Sequence, residues 1–376
     1  TALDREAQER STSVYPVDRV VPMLPTKISN HLCSLVPHED RLTVTAQMVI
    51  TPEGLLGETE FFSSVIHSDR RMAYEEVQEI FDDNKETRER CADVLPLVEE
   101  LQRVARVLRK RRFERGALDL DIPQLQVIFD EAGKPSDLQF YPRFEAHQVV
   151  EECMLIANEA VAQFLTKKEL PLLFRIHETA DEDRLKKLIP TLAAFGIKLG
   201  GRGGKITPLT IQQALGKAQE LEGGHIIRRL ILRALKRAQY TPTNVGHFGL
   251  ASECYCHFTS PIRRYPDVVV HRQIKSVEAG GPPFYKKDDN ELEELGEHTS
   301  SRERRAQEAE WESTTIKALE FMKQFEGDEF PGYISSLQSF GLFIELERYP
   351  VEGLIKLSSL ENDFYEEDES LSLIHI

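Results

Sequence analysis

His257-Phe258-Thr259-Ser260-Pro261-Ile262-Arg263-Arg264-Tyr265-Pro266-Asp267, followed at once by Val268-Val269-Val270-His271-Arg272, is the most informative stretch of this chain. Ser260 before Pro261 has the form of a helix N-cap with proline at the first helical position, which predicts a helix running to about residue 278. A helix start presents unpaired backbone N–H groups and the positive end of the peptide dipole, a setting that suits an anion. Two arginines there add planar forks matched to phosphate oxygens. The same residues also describe a capped surface helix whose arginines pair with acids. Local chemistry alone leaves both readings open.

Working outward, Gly280-Gly281-Pro282-Pro283 closes that helix, and a long charged helix is expected over about 290–324. On the upstream side, apolar residues from Val149 to Phe164 recur at the helical period and predict a helix over 145–167. Further helices are expected after Asp181, over 209–220 and over 225–240, and the stretch from Arg71 to about Glu114 reads as helical. Residues 1–65 read as turns and strands, with a β-rich run over 42–50, a turn at Thr51-Pro52-Glu53-Gly54 and a second strand through Phe61 and Phe62. Strands are also expected near 125–129 and 138–141, around the turn Gly133-Lys134-Pro135. After Phe325 come three short strands, 332–337, 341–346 and 351–355, the start of a small β-barrel. The fold class is therefore α+β, with a domain over 1–324 and an incomplete barrel over 325–376.

The chain has 376 residues, 40% hydrophobic and 29% charged, which is the composition of a globular protein with ample length for a large core. No apolar run is long enough to span a membrane, and no secretory signal pattern opens the chain. It lacks an initiating Met, so it is expected to begin inside a longer protein. The five cysteines are scattered without C-x-x-C spacing; they read as reduced thiols of a cytoplasmic protein, and structural zinc is not expected. The net charge is −16, but residues 291–376 alone hold 21 acidic against 7 basic side chains. The remainder is close to neutral and can carry basic surfaces. The densest run is Arg103, Arg106, Arg109, Lys110, Arg111, Arg112 and Arg115, whose seven cations suggest a phosphate-facing surface over a merely solvated helix face.

The string from His257 to Asp267 with its VVVHR continuation resembles the signature of the ribonuclease II / ribonuclease R family of 3′→5′ exoribonucleases. Thr12-Ser13-Val14-Tyr15, Pro22-Met23-Leu24-Pro25 and Leu32-Cys33-Ser34-Leu35 are similar to that family's segments in the same order. Ala146-His147, Val150-Glu151-Glu152-Cys153-Met154, Ala157-Asn158 and Phe174-Arg175-Ile176-His177-Glu178 extend the likeness. The last strands, with Ser339-Phe340-Gly341-Leu342-Phe343, resemble the first part of an S1 domain, an OB-type barrel, and S1 directly after this domain is closest to ribonuclease R.

The resemblance implies a processive enzyme of RNA decay and processing that degrades single-stranded RNA from its 3′ end to nucleoside 5′-monophosphates, as a monomer and with Mg²⁺. It assigns Arg263 to the scissile-end phosphate and Glu310 to a second catalytic position. Tyr15 and Tyr74 pack against the RNA, Glu151 lies near the 3′-terminal nucleotide, and Arg264, Phe340 and Phe343 contact RNA. Arg175 and His177 are further, weaker candidates. Leu120 stands where the family often has a Phe against the terminal base, so the apolar wall is kept without stacking on that side. The family's D-x-x-x-x-x-D-x-D-D metal cluster has no counterpart in this sequence; its ligands are expected upstream of residue 1, and no metal site is expected within the chain. A piece without these carboxylates is expected to be inactive alone. The alternative is a catalytically inactive RNA-binding protein with the same domains. The tail from Leu371 to Ile376 departs from the S1 pattern and reads as non-native.

Overall fold

The computed structural model describes residues 1–119, 124–179, 181–200, 206–221, 224–286, 290–360, 366–368 and 373–375. It opens with a helix, α1 (Ala2–Arg10), where strands and turns were expected. Its polar sequence shows no strong apolar period, so the helix is held by a Thr1 cap that accepts from the Asp4 N–H and by an Asp4–Arg272 ion pair. The expected hairpin follows as β1 (Asp40–Ile50) and β2 (Leu56–His67), antiparallel, with Gly54 at φ +75° in the turn. Its inner face places Val44, Ala46 and Phe61 against the main core.

Three helices come next: α2 (Tyr74–Phe81), α3 (Lys85–Arg90) and α4 (Leu95–Glu114). The hairpin β3 (Leu125–Phe129) and β4 (Pro135–Phe140) leads into α5 (Glu145–Lys167), whose buried Val161, Ala162 and Leu165 pack in the same core. After β5 (Phe174–Ile176) come α6 (Glu182–Ala194), α7 (Pro208–Gln219) and α8 (Gly224–Arg233), which pack a separate core around Leu185, Ile211 and Ile231. The helix expected over 225–240 stops early, because Gln239–Thr241 forms β6 and pairs antiparallel with β5.

The helix after the signature string, α9 (Tyr265–Glu278), starts at Tyr265 rather than at Pro261. Arg264 is its N-cap and Pro266 lies in its first turn, while residues 261–263 form a tight turn. The long charged helix is α10 (Glu291–Met322), about 48 Å at 1.5 Å per residue. It passes close to β6: a Cβ at Gly296 would meet the Tyr240 carbonyl at 2.7 Å, so only glycine fits there.

The C-terminal strands β7 (Gly332–Gln338), β8 (Gly341–Leu346) and β9 (Glu352–Lys356) form an antiparallel meander, followed by β10 (Glu366–Asp368) paired with β11 (Leu373–His375). The α+β class is as expected, but the strands make separate antiparallel ribbons and no closed barrel among the described residues. The meander is docked on the rest of the chain. Tyr349 sits in an aromatic cluster with Phe321, Phe325 and Phe330 beside Val127 and Leu138, and buried Glu345 pairs with Arg229 at 2.7 Å.

The basic run on α4 corrects the sequence reading. Arg106 pairs with Glu145, Arg112 with Glu151 and Glu152, and Arg115 with Glu159, all on α5. Arg103 pairs with Glu100, Lys110 with Glu114 and Arg109 with Asp119. Three of the seven cations fasten α4 to α5 and three more are paired elsewhere; Arg111 alone of the seven meets no polar partner among the described residues.

Candidate functional site

The signature string folds into a loop held from three sides. Asn158, buried on α5, accepts from the N–H groups of Phe258 at 2.8 Å and Thr259 at 3.3 Å, and its amide donates to the Tyr255 hydroxyl at 2.9 Å. His271 on α9 stacks on Phe258, and its Nε2 lies 2.8 Å from the Phe258 carbonyl, to which it donates. Asp267 is 0% exposed, accepts from the Ser260 N–H at 2.7 Å and takes a two-pronged bond from Arg264, both distances 2.8 Å. Arg264, expected on the RNA, therefore turns inward as the counterion of a buried acid. The Tyr265 N–H is taken by the Ser11 carbonyl, so the helix start does not offer the open anion site that the sequence pattern suggested.

Arg263 is what this framework leaves outside. Its side chain is exposed and meets no polar partner among the described residues. Its carbonyl accepts from the Ser13 N–H at 2.9 Å and the Thr12 hydroxyl at 3.2 Å, which lays residues 12–15 along the loop. Two residues on, the Tyr15 N–H donates to the Glu310 carboxylate of α10 at 2.7 Å. One short extended segment thus ties Arg263, Tyr15 and Glu310 into a single cluster, with Tyr15 exposed.

Tyr74 and Glu151 belong to a second cluster at the N-terminal end of α5. The Tyr74 ring stacks on His147 at 4.0 Å, and the Phe144 ring lies nearly parallel to that imidazole at 5.5 Å. Glu151, one turn after His147, pairs with Arg112 and Arg143. Leu120 lies outside the described residues. Phe340 and Phe343 stand edge to face on the meander, ring centres 6.3 Å apart, with Phe340 exposed; among the described residues neither ring meets an aromatic ring of either cluster. Sequence reasoning missed the roles of Asn158, His147 and Asp267. A buried asparagine on an otherwise apolar helix face was the available signal for the first; the others are set by tertiary contacts.

Behind the loop runs a chain of rings, His177, His247, Tyr255, the half-buried His257 and Tyr240, with neighbouring centres 5.2 to 5.7 Å apart. Arg175 closes it, lying over Tyr240 and forked onto Glu303 of α10. Burial lowers the His247 pKa to about 3 and holds those of His257, His177 and His271 down, while it pushes Tyr255 up to about 12. His177 uses both ring nitrogens on backbone, Nδ1 accepting from Gly249 and Nε2 donating to the Lys236 carbonyl. Arg175 and His177 are thus framework residues.

A metal finds no set of ligands here. Among the described residues no group of three or more His, Cys, Asp or Glu stands close enough to hold an ion. The best-placed acids are already engaged: Asp267 by Arg264, Glu303 by Arg175 and Asp4 by Arg272. The five cysteines are unbonded, and no helix among the described residues is long and apolar enough to cross a membrane.

An α+β domain that sets the exposed Arg263 beside a fixed glutamate is thus followed by a three-stranded antiparallel meander. The structure of Mycoplasma genitalium RNase R in its apo form is similar over the whole chain, with a TM-score of 0.91 and 28% identity, this chain covering 59% of that one. The same protein in complex with ribose-methylated single-stranded RNA matches equally well. The family model described as "RNB domain" matches residues 1–280 and that of the "S1 RNA binding domain" matches residues 323–374. The chain belongs to the RNB family. It is 40% identical to Ribonuclease R 1 of Lactococcus lactis over 374 residues, 98% of this chain and 45% of the relative. Ribonuclease R of Aquifex aeolicus is 40% identical over 369 residues, 98% and 52% of the two. The chain spans about half the length of the curated relatives it matches.

Proposed function

We propose that this chain holds the 3′ end of single-stranded RNA for a processive 3′→5′ exoribonuclease that yields nucleoside 5′-monophosphates in RNA decay and processing. The observation that carries the reading is the cluster joining Arg263, Tyr15 and Glu310, with Arg263 exposed while its neighbour Arg264 is consumed internally. Arg263 neutralises charge on the scissile-end phosphate. Glu310, fixed by the Tyr15 N–H, is the second catalytic position. Tyr74, presented by its stack on His147, offers a face to any base, which suits a sequence-tolerant enzyme. The Mg²⁺ that the family implies would need carboxylates from outside the described residues.

The test is direct. The chain should bind a linear single-stranded oligoribonucleotide more tightly than a circular one, which has no 3′ end, and should release no mononucleotides when Mg²⁺ is added. Equal binding of both, or none, would sink the reading; steady release would place a metal site among these residues. The alternative function is a non-catalytic RNA binder with the same two domains. Mg²⁺-dependent release of mononucleotides from a linear oligoribonucleotide would decide against it.

A further inference from the structure

A cleft of 540 Å³ opens between α10 and the segment that follows α8. Its floor is the Arg175–Glu303 pair, closed on itself by bonds of 2.6 and 3.1 Å. Arg237 stands on one wall; Arg304 and Trp311, seven residues apart and so on one face of α10, stand on the other. Arg237 and Arg304 are exposed and meet no polar partner among the described residues. Against them the cleft sets only Glu308 as a further acid, which leaves it positive in an acidic chain. Trp311 is 69% exposed, an unusual position for the largest apolar side chain and the single tryptophan of the protein. None of the family positions considered above falls on Arg237, Arg304 or Trp311.

A flat aromatic face beside two uncommitted guanidinium forks is complementary to a planar base carrying phosphates. Trp311 directly follows Glu310, so the cleft and the cluster that contains Arg263 and Tyr15 lie at the same level of α10, on adjoining faces. We propose that this cleft is a second strand-holding subsite, in which one nucleoside of a single-stranded RNA stacks on the Trp311 indole while Arg237 and Arg304 take the flanking phosphates. The inference rests on the RNA-holding function proposed above.

The sole tryptophan makes the site its own reporter. The full chain, in EDTA, is titrated with a uridine oligomer while indole emission and the anisotropy of labelled RNA are both followed. Emission should be quenched with the midpoint that anisotropy gives. Trp311→Ala should weaken binding by roughly 5- to 150-fold, the range for loss of one base–aromatic stack. Trp311→Phe should restore most of it, and circular dichroism should show both variants folded, as expected for an exposed side chain. Arg237→Ala should lower the slope of log K against log salt by about 0.7, one phosphate contact on a single strand. RNA binding with unchanged indole emission, or an unaffected Trp311→Ala, would overturn the subsite and leave the wider function standing. Uridine monophosphate quenching at the oligomer's midpoint would overturn the assignment to a strand. Failure of RNA to bind at all would overturn the wider function first.

Discussion

Replacing Arg263 and Arg264 one at a time by alanine makes the same charge change at adjacent positions, yet the structure demands opposite outcomes. Among the described residues, Arg264 is the only cation hydrogen-bonded to Asp267, which has no solvent exposure, through two bonds of 2.8 Å. Removing it leaves a buried carboxylate with only the Ser260 N–H as a donor. Breaking one side of a buried pair costs about 3–5 kcal/mol. Arg263 is exposed and makes no side-chain bond among the described residues, so Arg263→Ala should change stability by no more than about 0.5 kcal/mol.

RNA binding should show the reverse pattern. Arg263→Ala should weaken affinity and reduce the salt slope by about 0.7, whereas Arg264→Ala, under conditions where it remains folded, should lose affinity only as far as the loop is displaced. Urea unfolding curves and filter binding at three salt concentrations read both quantities on the same preparations. An Arg264→Leu/Asp267→Leu double variant, which removes both charges, should recover much of the lost stability. If Arg263→Ala unfolds as easily as Arg264→Ala, or if Arg264→Ala is stable and loses RNA, the assignment of framework and contact arginine is wrong.

Gly296→Ala should destabilise by about 1–3 kcal/mol, because its methyl group would press on the Tyr240 carbonyl and spread α10 from β6; an unchanged urea midpoint would refute the packing. His247 stays neutral in the fold until about pH 3, while in the unfolded chain it takes a proton near pH 6.5. Unfolding is therefore favoured as pH falls through 6.5, by about 1.4 kcal/mol per unit for this residue alone, with the other buried histidines adding in the same direction. Flat stability between pH 7 and 5.5 would count against these buried neutral rings. Arg229→Ala leaves buried Glu345 without its close partner and should loosen the C-terminal meander, so limited proteolysis should cut after Phe325 faster than in the unaltered chain.

Local pattern carried the elements that local pattern can decide. The period of α5, the β-rich run and turn of the β1–β2 hairpin and the strands of the meander were all legible, because each depends on residues a few positions apart. The start of α9 was not. Ser260-Pro261 has the chemistry of a cap, but the Ser260 N–H is claimed by Asp267 and the Tyr265 N–H by Ser11, a residue at the other end of the chain. The basic run misled for the same reason. The carboxylates that meet Arg106, Arg112 and Arg115 lie about forty positions away on α5. A run of like charge looks like a surface until the opposing helix is in place.

That pairing also changes what the net charge says about RNA. A balance of −16 argues against a polyanion, and seven cations on α4 argue for one, yet neither count measures the charge that a strand would meet. Acids and bases on α4 and α5 largely cancel each other within the fold. What faces outward without a polar partner among the described residues includes Arg111, Arg237, Arg263 and Arg304. If three or four such cations meet phosphates, the slope of log K against log salt should be about −2 to −3, at 0.7 per contact on a single strand. A slope steeper than about −5 would require the α4–α5 pairs to open and meet RNA themselves. In that case Arg106→Ala, which leaves Arg237, Arg263 and Arg304 in place, should flatten the slope, whereas internal pairing predicts that it leaves the slope alone and lowers only the unfolding midpoint.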